Sequence, residues 1–231
     1  MHSSVRQSRV PESEVTVWLL NLESGLYRLP ALNVLLSEDE KARGQTFRSA
    51  RDRDRYVITH ALKRLILGRV LGQQPDALTF GTGPFGKPHL KGGRLHFSLS
   101  RSGDHALLAH VWDCRIGVDL EQVRPLPELD LIAAQRFSIA SQATLFSAEQ
   151  HRLVTFFDLW TGHEAVLKAT GAGLSHHLSA SEDAGTYQNL ALMEGYRAAV
   201  AVEGSNWFVS TRDHSDVVSC WPSFIFVPPY G

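Results

Sequence analysis

The sequence predicts an α+β fold made of two similar halves, each an antiparallel sheet packed with helices. Three observations carry this. Short runs alternate apolar and polar residues as half-buried strands do, and two long segments repeat apolar residues at three- and four-residue steps. In each half, strand-type segments follow such a helix. With 231 residues, 43% of them hydrophobic, the chain can build one large core or two small ones.

"EVTVWLLNL" alternates as an opening strand. In "LSEDEKARGQTF", Ser37 and Glu40 stand at capping-box spacing, which predicts a short helix ending near Gly44 to Phe47. "RYVITHALKRLILGRVLG" places Val57, Ala61, Leu62, Leu65, Ile66 and Val70 on one helical face, with Gly72 as a C-terminal cap. "LHFSLS", the turn "RSGD" and "HALLAHVW" read as a hairpin, and a second turn, "DCR", leads into "IGVDLEQVRP". The three strands together predict an antiparallel meander. The acidic strand then lies at the junction of the halves, 1–114 and 115–231.

Beyond Pro125 and Pro127 come further helical patterns, the longest from about Ala148 to Thr170, opened by Ser147 and Gln150 and closed by Gly171. "YRAAVAVEG", "NWFVST" and "SFIFV" return to strand character. Neither a low-complexity tract nor a long linker separates the halves, and no residue-level repeat stands out.

Charge excludes some partners. Lys plus Arg number 23 against 24 Asp plus Glu, so there is no broad basic field and no nucleic-acid partner is expected. Cys114 and Cys220 are far apart without C-x-x-C spacing, which argues for reduced thiols rather than a zinc ribbon or disulfide framework. The start, "MHSSVRQSRVPESE", lacks the apolar region of a signal peptide, and no stretch approaches 18 apolar residues. A cytoplasmic protein with no membrane partner is expected.

The chemistry concentrates in two segments. On a strand, Asp119 and Glu121 project from one face, about 6–7 Å apart along the chain. Two such neighbours repel unless the face is wet or a cation lies between them. In "FFDLWTGHEAVLKATGAGLS", Trp160, Glu164 and Lys168 recur every four residues. Taken alone, Glu164 and Lys168 form a surface ion pair worth about 0.2–0.5 kcal/mol. Taken with Asp119 and Glu121, they complete an oxygen-rich set for a hard divalent cation, Mg2+ first and Mn2+ as its substitute. The 11 histidines form no zinc-type motif.

"GVDLEQVRP" and "WTGHEAVLKATGAGL", some forty residues apart, resemble the paired acidic motifs of the 4'-phosphopantetheinyl transferases. The resemblance is to the longer, monomeric type that activates peptide and polyketide synthases, the surfactin-synthetase-activating type. "LSEDEKARGQTF", "DRDRYVITHALKRLILG", "PFGKPHL" and "FSLSRSGD" continue the pattern in the same order, so it covers most of the chain.

The resemblance implies Mg-dependent transfer of phosphopantetheine from coenzyme A to a serine of an apo acyl, polyketide or peptidyl carrier protein, releasing 3',5'-ADP. It puts the metal on Asp119, Glu121 and Glu164 in the C-terminal half, with Glu164 and Lys168 as the catalytic pair. Coenzyme A would be met by Arg43, Arg55, Lys87, Ser100 and Arg101 of the N-terminal half together with Asp119 and Lys168. Arginine suits the phosphates through its forked donors. Arg48, Arg51 and Arg53, interleaved with Asp52 and Asp54, read instead as a solvated face.

Three positions depart from the family pattern: Arg101 stands for histidine, Ser98 for asparagine and His163 for lysine. A neutral imidazole at 163 removes a positive charge. The departures at Arg101 and His163 motivate the alternative reading, a non-catalytic module that binds coenzyme A or a carrier protein.

Overall fold

The computed structural model describes residues 13–83, 85–171, 187–204 and 206–215. The expected strand at 223–227 and Cys220 lie outside these residues. Cys114 carries a free thiol.

Ser13–Asn21 forms β1. After a 3-10 turn come α1 (Leu29–Val34) and α2 (Glu38–Gln45). The expected capping box is made: Glu40 N–H donates to Ser37 Oγ at 3.3 Å and Ser37 N–H to Glu40 Oε2 at 3.0 Å. The long helix α3 (Ala50–Leu71) opens on Ser49 and closes on Gly72, whose φ of 63° is left-handed. A small hairpin, β2 (Phe80–Thr82) and β3 (Pro88–Leu90), precedes the hairpin β4 (Leu95–Ser102) and β5 (His105–Trp112). The acidic strand is β6 (Ile116–Gln122).

The second half supplies α4 (Leu129–Arg136), α5 (Ile139–Ser147), α6 (Arg152–Thr170), β7 (Tyr187–Leu190), β8 (Tyr196–Val202) and β9 (Trp207–Asp213). Gly171, at φ 72°, ends α6 as expected. Its start differs from expectation. Ser138 caps α5, and Ser147 is spent inside that helix, donating to Ala143 O. Glu149, at φ 46°, breaks the helical path before α6 begins.

The predicted meander is half right. β4 and β5 pair, but β6 leaves the sheet, because the other edge of β5 is already taken by β1 in the order β4-β5-β1-β9. β6 instead heads a second antiparallel sheet, β6-β8-β7. A further departure is β9, which crosses from the second half to pair in parallel with β1.

The side chains sort into four layers. Trp18, Leu20, Phe97 and Leu108 pack the first sheet on Ile58, Leu62 and Ile66 of α3. Val15, Val17 and Leu107 on its other face meet Val118, Leu120 and Val200 of the second sheet. The far face of that sheet, at Ala199 and Ala201, rests on Ala165, Val166 and Ala169 of α6. Asp119 alternates with Val118 and Leu120, so the pleat aims it at α6. Among the described residues, no helix is long and apolar enough to cross a membrane.

Candidate active site

An edge strand exposes N–H and C=O groups that need partners. On β6 they are met by side chains. Val118, Leu120 and Gln122 donate their N–H groups to Ser98, Ser100 and Ser102 of β4 at 3.0, 3.3 and 3.0 Å. The carbonyl of Ile116 accepts from Lys87 Nζ at 2.7 Å and that of Val118 from Lys168 Nζ at 3.2 Å. Lys87 also donates to the Lys168 carbonyl at 2.6 Å, tying the end of α6 to β6. Burial, with the charges of Arg115 and Lys168, draws the Lys87 ammonium down to about 8.

Asp119 sits where these bonds converge. Its side chain is buried, and Oδ1 accepts from Lys168 Nζ at 2.6 Å and Ser100 Oγ at 2.7 Å. Oδ2 is buried without a partner among the described residues. Lys168 therefore bonds to the acid on β6, which replaces the surface pair with Glu164 considered from sequence. Glu164 itself is buried, and its carboxyl is pushed up to about 7. Burial is the main cause and the Asp119 charge adds to it, while Lys168 and Arg136 pull the other way. Glu121 is half-buried, its Oε2 accepting from Ser102 Oγ at 2.9 Å and Arg124 at 3.2 Å.

Two cavities flank the acids. One, of about 290 Å3, is lined by Phe85, Lys87, Phe97, Leu99, Glu164 and Lys168. The other, about 330 Å3, brings Arg55, Arg101 and Arg124 around Ser102 and Glu121. Arg55 is also paired with Asp104, and Arg101 donates to the Asp52 carbonyl at 3.3 Å. Arg43 is exposed at the end of α2, its guanidinium over the Phe47 ring. A third cavity, about 830 Å3, lies elsewhere, lined by Trp18, Arg69, His110 and Arg212, and holds none of the three acids.

His163 is buried and meets the Phe137 ring edge-on, so it belongs to the packing beneath α6. Trp160 stacks on Phe156 as a wall residue. Gly162 has a local reason: a Cβ there would overlap the Tyr187 ring. Among the described residues, no three His, Cys, Asp or Glu side chains stand close enough together to cage a metal ion.

Comparison with known proteins separates the possible uses of such a site. A family profile described as the 4'-phosphopantetheinyl transferase superfamily matches residues 115–200, which span β6 and α6. The 4'-phosphopantetheinyl transferase HetI of a Nostoc species is 36% identical over 169 residues, covering 70% of each chain. The chain belongs to the 4'-phosphopantetheinyl transferase superfamily.

Other superfamily relatives agree. The Synechocystis protein slr0495, named provisionally for the same activity, is 34% identical over 71% of this chain and 67% of its own length. The transferase psf-1 of Bacillus pumilus is 32% identical over 66% of this chain and 65% of its own. Within this superfamily member, sequence reasoning missed Ser102 and Arg124, which hold Glu121. The serines at every second position of "SLSRS" were the available signal.

Proposed function

We infer that this transferase moves the 4'-phosphopantetheine group of coenzyme A to a serine of an apo carrier protein at the site where β6 faces α6. The observation that carries this reading is the meeting of Asp119, Glu164 and Lys168 at the edge of β6.

The donor set suits a hard divalent cation. Among the described residues Asp119 offers a buried oxygen without a partner, and Glu164, raised by burial first and then by the Asp119 charge, adds a second carboxyl facing it. Mg2+ keeps several waters and takes other ligands from phosphates, so it needs no complete protein cage. Asp119, Glu121 and Glu164 would hold it, with Mn2+ as a substitute. Bound there, the cation supplies Lewis-acid polarisation and neutralises charge on the diphosphate.

The residues of this chain divide the rest of the work. Lys168 stabilises the phosphates as charge builds. Arg55 and Arg101 line a cationic cleft suited to the nucleotide phosphates, with Arg43 further out and Ser100 and Lys87 along β6. The carrier hydroxyl oxygen forms a new bond to the β-phosphorus while the phosphoanhydride bond breaks, and 3',5'-ADP leaves with the bond's electron pair. A water held by Glu164, whose carboxylate would at the same time ligate the cation, receives the hydroxyl proton.

The reading extends to a monomeric, cytoplasmic enzyme, with residues 1–114 meeting coenzyme A and 115–231 carrying the acids. The near-balanced charge supports the lack of a nucleic-acid partner, and no membrane partner is part of the proposal.

Incubation with coenzyme A, Mg2+ and a panel of apo carriers, read by intact mass, tests it. One carrier should gain the phosphopantetheine increment, and Asp119→Ala and Lys168→Ala should abolish the gain while keeping the fold. Coenzyme A binding without any transfer would favour the non-catalytic module, and steady cleavage of coenzyme A without an acceptor would favour a hydrolase.

A further inference from the structure

We propose that the serines of β4 are positioning residues for the acids of β6: Ser102 holds Glu121, and Ser100 holds Asp119, by one carboxylate oxygen each, leaving the second oxygen for the cation. This deepens the metal reading above and rests on it.

The register carries the inference. Ser98, Ser100 and Ser102 accept from the N–H groups of residues 118, 120 and 122, a constant offset of twenty. A hydroxyl has one proton to give and two lone pairs to receive with. Once a lone pair of Ser102 is occupied by the Gln122 N–H, its proton is directed to Glu121 Oε2 at 2.9 Å. Ser100 repeats the arrangement, receiving from Leu120 and Lys168 and donating to Asp119 Oδ1 at 2.7 Å.

Each acid is thereby gripped on the oxygen nearer β4. Among the described residues Asp119 Oδ2 is buried with no partner and no hydrogen bond reaches Glu121 Oε1. A tethered carboxylate loses less rotamer freedom when it takes a ligand, and partners of this kind set the orientation of metal-binding oxygens. The same three hydroxyls also stitch the edges of the two sheets together, so the strand pairing and the ligand geometry share one set of bonds.

Ser102 gives the clean test, because Ser100 is also placed among the coenzyme A contacts. Mn2+ binding to the full chain is titrated by electron paramagnetic resonance, and the Mg2+ dependence of transfer is measured alongside. Ser102→Ala should weaken Mn2+ about tenfold, the scale of outer-partner losses at metal sites, and raise half-saturating Mg2+ similarly. Ser102→Thr, which keeps the hydroxyl on a strand-compatible side chain, should restore both. If the alanine variant does not fold, Ser102→Cys serves in its place, being of similar size with a weaker donor.

Wild-type Mn2+ affinity in Ser102→Ala, or equal losses in the alanine and threonine variants, would overturn the proposal. Glu121→Gln is run beside them. If it binds Mn2+ as wild type does, the metal reading itself fails; if it loses affinity while Ser102→Ala does not, only the positioning role fails.

Discussion

Gly117 on β6 lies against Ala165 on α6 so closely that an added Cβ would overlap the Ala165 carbonyl oxygen and crowd the Ala169 amide nitrogen. Both obstacles are backbone, so neither can swing aside. This contact sets the distance between the strand of Asp119 and the helix of Glu164. Gly117→Ala should cost about 3 kcal/mol or more, at or above the upper end for overpacking, and lower the midpoint of thermal unfolding by several degrees. Any soluble variant should also lose transfer activity, since the acids are pushed apart. A variant with wild-type Tm would refute the contact.

Glu40 carries a second function beyond its capping box. Its carboxylate accepts from Lys63 Nζ at 2.7 Å, Arg64 Nε at 2.6 Å and the His60 ring at 3.3 Å. Burial works to raise this carboxyl, yet the bonds from His60, Lys63 and Arg64 and the Lys63 charge outweigh it and hold the group well below the usual carboxylate range. The folded value is depressed, so the stabilisation is complete above about pH 4.5 and is lost as pH falls below it. Lys63 and Arg64 are each only 2% exposed, so Glu40→Gln leaves two buried cations without their counter-charge, at about 3–5 kcal/mol. Urea unfolding at pH 7 should show that loss, and it should shrink toward pH 3.

His110 acts in a different pH window. It is buried on β5, and burial, helped by Arg212 and opposed by Glu14, draws its imidazole down to about 4. Between that value and the ordinary 6.5 the unfolded chain binds the extra proton, so stability rises with pH across the interval and levels off above it. His60, His96 and His105 are lowered by burial as well, so His110→Leu should reduce the slope of this limb while leaving the part below pH 4.5 that belongs to Glu40. Unfolding midpoints at half-unit steps from pH 4 to 7.5 separate the two, and an unchanged slope between 4.5 and 6.5 would contradict the assignment.

Features encoded by neighbours in the chain were legible in the sequence. The Ser37–Glu40 capping box, the α3 helix with its Gly72 cap and the pleat of Asp119 and Glu121 follow from spacing alone. The features that were hidden depend on partners distant in the chain. Nothing near β5 shows that β1 fills its free edge, or that β9 returns to lie parallel to β1. Ser147 has the spacing of a cap, but the better-placed Ser138 starts a helix that consumes it. At the site, residue types announced carboxylate chemistry, while the pairing of Lys168 with Asp119 and of Lys87 with two carbonyls required the packing of α6 on β6.

Glu164 offers a prediction in which activity and stability move in opposite directions. Without a cation its carboxyl is pushed up from 4.5 to about 7, by burial first and then by the Asp119 charge. For an acid raised in this way, stability is greatest below the unfolded value and is lost as pH rises through the folded one, by an amount on the order of 3 kcal/mol. Glu40 acts with the opposite sign at lower pH and His110 with the opposite sign over much of the same range, so the informative quantity is the difference between Glu164→Gln and wild type in the presence of a chelator. That difference should grow in favour of the variant between pH 4.5 and 7.5, because an amide has no charge to bury. The same variant should transfer phosphopantetheine about 100-fold more slowly or worse, the scale of a lost general base. Mg2+ with coenzyme A should stabilise wild type more than the variant at pH 7.5, since only wild type has the third carboxylate to offer. A pH-independent stability difference would show that burial of the Glu164 carboxylate does not cost the folded state what is ascribed to it.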